Sequence, residues 1–168
     1  MKTLVAFYSR AGENYFGGQY RVIEVGNTEK VARRIAQDLD ADLFHIEQKH
    51  PYSANYQICI QEAQQDLRKH ARPELAKLPK NLEEYDEIYL GYPNYWGDAP
   101  MAVYSFLDAL DLDGQTIHPF CTHEGSGLGR TVSNLAKAYP QAHFEKGLAI
   151  HGSEVDRSQK AIDNWVKG

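Results

Sequence analysis

A chain of 168 residues, 42% hydrophobic and 24% charged, has the size and composition of one globular domain with a sizeable core. Its net charge of −5 argues against a nucleic-acid partner held by phosphate neutralisation. No apolar run reaches the roughly 20 residues that cross a bilayer, and the first apolar stretch is too short for a signal peptide.

Strand and helix patterns alternate along the chain. Residues 2–8 read as a first strand, and residues 29–38 as a helix with Val31, Ile35 and Leu39 on one face. Residues 43–46 fit a second strand and 57–70 a second helix; residues 87–92 are a third strand. Residues 101–110 are helical after Pro100, well placed at a first turn. Residues 116–121 form a fourth strand, 128–138 a helix, 147–150 a fifth strand and 158–166 a closing helix. Five strands separated by helices predict a single α/β domain whose parallel sheet is covered on both faces. Two strand orders fit, 2-1-3-4-5 or half of a Rossmann sheet. Either places a ligand beyond the carboxyl ends of the strands, near the switch point.

Cys59 and Cys121 lie far apart and outside any CxxC pair, which argues against a disulfide framework or zinc site and makes a reducing cytoplasm the expected compartment. Residues 81–129 hold nine carboxylates and no lysine or arginine, so one long segment is purely acidic. The plain reading is a solvated, solubilising face.

Three loops carry the chemistry. The first strand ends in Ser9, Arg10 and Ala11, Asn14 follows, and the first helix opens at Gly26-Asn27-Thr28. Hydroxyl, amide and glycine residues at a helix N-terminus are what an anionic group needs, with Arg10 able to add a charge-assisted bond. Neither GxGxxG nor GxxxxGK[ST] follows this strand. Between the halves of this loop, Gly17-Gly18 joins two β-rich arms and predicts a small hairpin, expected to lie over the phosphate end of the ligand.

The second loop, Pro93-Asn94-Tyr95-Trp96-Gly97-Asp98, sets two large aromatics beside a flexible glycine, suited to stacking on a planar heterocycle. The third, Thr122-His123-Glu124-Gly125-Ser126-Gly127, offers backbone donors and acceptors with little side-chain bulk, suited to the edge of a ring. No His/carboxylate spacing fits a metal site, and Ser126 sits in no GxSxG.

In this order the three loops resemble the flavodoxin family over essentially the whole chain, and the subgroup carrying YSRxGENY early and GNTE at the helix start. The resemblance implies a flavodoxin-like three-layer sandwich with a five-stranded parallel sheet of order 2-1-3-4-5. It implies FMN, with phosphate at Ser9, Arg10, Asn27 and Thr28 and Asn14 nearby. The isoalloxazine would lie against Tyr95 or Trp96, its pyrimidine edge meeting residues 122–127. The Gly97–Asp98 peptide would turn toward the flavin N5, and the fifth strand, residues 144–150, would run without a long interruption.

Two functions follow from that resemblance: an electron carrier, or an NAD(P)H-dependent flavin or quinone reductase using the same site. The expected partners are redox proteins or small quinone-like acceptors, with no nucleic acid and no membrane, and with monomer and homodimer both open. Asp98, Glu124 and Asp113 are expected near the flavin, lowering its potential and steering basic partners.

Overall fold

The computed structural model describes residues 2–168. Strand β1 (Thr3–Phe7) leads into a hairpin of β2 (Gly12–Phe16) and β3 (Gln19–Ile23), followed by helix α1 (Asn27–Leu39) and strand β4 (Asp42–His45). Helix α2 (Tyr56–Lys69), strand β5 (Glu87–Pro93), helix α3 (Met101–Asp108) and strand β6 (Thr116–His123) come next. Helix α4 (Thr131–Ala138), strands β7 (His143–Phe144) and β8 (Leu148–His151) and helix α5 (Gln159–Lys167) complete the chain.

The sheet runs β4-β1-β5-β6, with β7 and β8 both paired to the outer side of β6, and every pairing is parallel. Alternation of side chains along the strands divides the core. Val5, Phe7, Tyr89 and Phe120 pack under α1 and α5 through Val31, Ile35 and Ile162. Leu4, Ala6, Ile88, Leu90 and Tyr92 face the other way, against α3 and α4 through Val103, Phe106, Leu107 and Leu135. The three-layer sandwich and its strand order match the sequence expectation.

The fifth strand also runs without a long interruption, with residues 145–147 alone between its two parts. Pro119 is the cause of that short break. Ile117 accepts the Glu145 N–H on the side of β7, so the odd residues of β6 point their backbone groups toward the sheet margin. Pro119 occupies the next odd position and has no N–H to donate. The margin pairs with Thr116 and Ile117 through β7, loses register opposite Pro119, and rejoins at Phe120–His123 through β8. Gly147 fills the gap; a side-chain Cβ there would sit 3.2 Å from the Pro119 carbonyl and 3.0 Å from Leu128.

The hairpin forms where the Gly-Gly pair predicts it. Gly17 (φ 62°) and Gly18 (φ 77°) both take positive φ, the geometry of a two-residue type I′ turn whose twist suits the flanking strands. Tyr15 and Tyr20 face each other across it, with ring centroids 5.2 Å apart.

Strand β5 has one position where size decides packing. Gly91 pairs with Phe120, and a Cβ on Gly91 would lie 2.2 Å from two carbons of the Phe120 ring, itself fully buried. Neither the strand nor the ring can move far in a close-packed sheet. Gly91→Ala is therefore expected to cost about 1–3 kcal/mol, measured as a lower urea midpoint at unchanged m-value.

Candidate functional site

In a parallel sheet every strand ends at one edge and every following helix begins there. The chain leaves β1 outward to β4 and returns past β1 to β5, so the switch point falls between β1 and β5. A cleft of about 230 Å³ opens at this edge.

One end of the cleft is the start of α1. Its residues Asn27 and Thr28 line the cleft. The Glu29 N–H donates to Ser9 Oγ at 3.0 Å and the Lys30 N–H to the Gly26 carbonyl at 3.1 Å. The Asn27 and Thr28 N–H groups have no acceptor among the described residues and lie at the positive end of the helix dipole. Gly26 makes this geometry attainable, since a Cβ there would fall 2.2 Å from Ser9 Oγ and 2.6 Å from the Arg10 carbonyl. Thr28 Oγ1 meets Thr122 Oγ1 at 2.7 Å, both residues buried, which ties this helix start to the end of β6.

The ends of β5 and β6 and the loops after them supply much of the remaining lining, with Pro93, Asn94, Tyr95, Thr122, His123, Glu124 and Ser126. Asn94 couples them: its Nδ2 donates to the Gly127 carbonyl at 3.0 Å while its Oδ1 accepts the Gly97 N–H at 2.9 Å. His123 Nδ1 accepts the Gly125 N–H at 2.9 Å, and its ring lies 5.4 Å from that of His151 on the neighbouring strand. Burial, then His151, pulls the His123 pKa down and favours the neutral ring. Burial and the neighbouring Tyr8 hold the Tyr95 hydroxyl well above the usual phenol range, and burial pushes the Cys121 thiol up to about 12.

Several residues singled out in the sequence take other places. Trp96 does not line the cleft. It sits in the left-handed region (φ 57°) of a two-residue turn closed by Tyr95 and Asp98, half exposed, and its indole N–H donates to the Ile60 carbonyl of α2 at 2.7 Å. Of the two aromatics, Tyr95 alone borders the cleft. Gly97, Gly125 and Gly127 shape the turns through positive φ but do not line it. Ser9 acts from behind, through its bond to Glu29. Asn14 lines the cleft while its Nδ2 donates to the Arg10 carbonyl at 2.8 Å.

Arg10 also borders the cleft, yet its guanidinium donates to the carbonyls of Glu13 (2.8 Å), Ser53 (3.1 Å) and Ala54 (3.0 Å). Most of its donor set is committed to the protein's own backbone.

The acidic segment also divides. Glu83, Glu84, Asp86 and Glu87 lie before or at the start of β5, and Asp111 and Asp113 in the loop before β6. All six are at the amino edge, a strand length of about 23 Å from the cleft for a seven-residue strand at ~3.3 Å per residue. That exceeds the screening length of about 8 Å. Asp113 is therefore not near the candidate site. Glu124 lines the cleft and accepts the Gly17 N–H at 2.9 Å, whereas Asp98 does not line it and accepts from the Ala99 N–H and the Tyr104 hydroxyl.

Three lining residues were not anticipated: Tyr15 of the hairpin, Tyr56 of α2 and Gly152 after β8. The Tyr15 and Tyr56 rings are near-parallel at 6.3 Å, so the hairpin and the start of α2 together make an aromatic side to the cleft. A signal for Tyr56 existed, because α2 must also begin at the carboxyl edge. The hairpin tip meets Glu124 and Ser153, and Phe16, Glu124 and Asn27 of the helix start all come close to Gly152.

Comparison with curated protein sequences finds no match. Solved structures of similar shape do exist. A protein of Bacteroides eggerthii DSM 20697 named as a flavoprotein is 25% identical, with 99% of this chain and 96% of that one covered and a TM-score of 0.80. One of Bacteroides uniformis ATCC 8492, also named as a flavoprotein, is 26% identical over 99% and 98% of the two chains, at a TM-score of 0.79. A flavoprotein of Lactobacillus acidophilus NCFM, crystallised in complex with FMN, shares the fold at 21% identity, 93% and 97% coverage and a TM-score of 0.68. The family model described as Flavodoxin matches residues 19–168, from the second arm of the hairpin to the last residue. A match of that extent, on a sheet of this order, makes the chain a member of the flavodoxin family.

Proposed function

We propose that this chain binds FMN in the cleft and serves as an electron-transfer flavoprotein. The observation that carries the reading is the presence, in one cleft, of both open helix-start N–H groups and aromatic side chains. A phosphate monoester and a flat heterocycle joined by a polar chain fit that combination. Family membership and the FMN complex of the Lactobacillus acidophilus protein support it.

The Asn27 and Thr28 N–H groups would take the phosphate. Tyr95 and the Tyr15–Tyr56 pair would border the ring, and the backbone of residues 122–127 would meet its polar edge. The neutral His123 ring, accepting the Gly125 N–H, would keep that loop in shape. FMN, once bound, supplies the reversible redox chemistry, and the protein sets its affinity and potential.

The reductase alternative would use the same cleft, and turnover with NAD(P)H separates the two.

Two measurements test this reading. Titrating FMN with the protein should quench its fluorescence, and Gly26→Ala should weaken FMN at least about tenfold, because the added methyl drives Ser9 and Arg10 from the helix start. Unchanged affinity would remove the phosphate end from this place. In an anaerobic reductive titration two separate one-electron steps are expected, with negligible NAD(P)H oxidation in the presence of a quinone; rapid, sustained NAD(P)H turnover would reassign the chain as a reductase.

A further inference from the structure

We infer that Arg10 is a positioning residue for the aromatic side of the cleft rather than a ligand of the cofactor's anion; this rests on the FMN reading above. Its place after β1, beside the start of α1, suggests a phosphate contact. Its bonds point elsewhere.

Three of the five guanidinium N–H groups donate to backbone carbonyls, and these belong to two separate segments. Glu13 O lies on β2, two residues before Tyr15. Ser53 O and Ala54 O lie in the turn just before α2, whose first residue is Tyr56. The planar fork thus fixes the spacing between the strand that carries one tyrosine and the helix start that carries the other. Its Cζ also sits 5.9 Å over the Tyr56 ring.

Glu13 repeats the link in the opposite sense. Its carboxylate accepts the Tyr56 N–H at 2.7 Å, at the favourable end of the α2 dipole. Tyr20 closes the outer flank, its hydroxyl accepting from Gln57 Nε2 at 2.9 Å. Arg10, Glu13, Tyr15, Tyr20 and Tyr56 form one unit that holds the hairpin against α2. No carboxylate lies within ion-pairing distance of Arg10 among the described residues, so its charge is balanced by carbonyl dipoles.

Lysine in place of arginine keeps the charge but cannot span three carbonyls. A charge acting on a phosphate would survive that change, whereas the spacing of the tyrosines would not. Riboflavin carries the same ring without the phosphate and separates the two roles.

The test compares wild type, Arg10→Lys and Tyr15→Ala by the dissociation constants of FMN and of riboflavin and by the visible circular dichroism of the saturated flavin. Arg10→Lys is expected to weaken both flavins by one common factor of about ten, leaving their ratio at the wild-type value. It should also shift the dichroism in the direction that Tyr15→Ala shifts it. Loss of FMN affinity with riboflavin unaffected would overturn the inference in favour of an anion ligand, and so would no change in either flavin.

If Arg10→Lys does not fold, Arg10→Gln takes its place, with the same shift in dichroism and both flavins weakened by one common factor; loss of FMN affinity alone, or no change in either flavin, would overturn the inference. A wild type that takes up neither flavin would refute the FMN reading itself and this inference with it.

Discussion

The hydroxyl of Ser9 accepting the Glu29 N–H is the contact on which the cleft depends. Sixteen residues separate Ser9 from Gly26, and most of them form a hairpin that lies outside the main sheet. The end of β1 and the beginning of α1 must nonetheless close on each other, or the open N–H groups of the helix would face nothing in particular. Gly26 permits the approach because it has no Cβ. The buried Thr28–Thr122 hydroxyl pair then extends the same closure to β6. A group buried in this way is costly to leave without a partner, so the two strand ends and the helix start are held as one unit.

Around that closure the hairpin acts as an added wall. Tyr15 and Tyr56 come from elements far apart in sequence and meet because side-chain and backbone bonds join the hairpin to the start of α2. At its tip, the Gly17 N–H reaches Glu124 on the opposite loop. The hairpin is therefore anchored on both sides of the cleft. Its strands bury little on their own, and a two-stranded ribbon without such anchors is marginal in water.

Much of this architecture was legible in the sequence where the signal is local. Apolar runs gave the central strands, the Gly-Gly pair gave the hairpin turn, and the glycine and hydroxyl residues at 26–28 marked the helix start. What failed to read was non-local. Arg10 reads as a cation near an anion site; only the fold brings the carbonyls of residues 53 and 54 to it. Trp96 reads as a stacking surface, but its backbone is left-handed and its indole N–H is bonded to the Ile60 carbonyl of α2. Tyr56 fell one residue outside the helix that periodicity suggested. Pro119 was visible as a poor strand residue, yet which neighbour would feel its missing N–H depends on the parity of β6, fixed by the register with β5.

The interruption beside Pro119 also bears on how the molecule meets other copies of itself. A parallel sheet exposes two margins, and a long regular margin is a template onto which a foreign strand can zip. Here one margin, β4, is four residues long, and the other is split into runs of two and four residues. Neither offers an extended row of regularly spaced amides and carbonyls. The proline that spoils the regularity of the fold thereby blunts the side on which fibrous growth would otherwise begin.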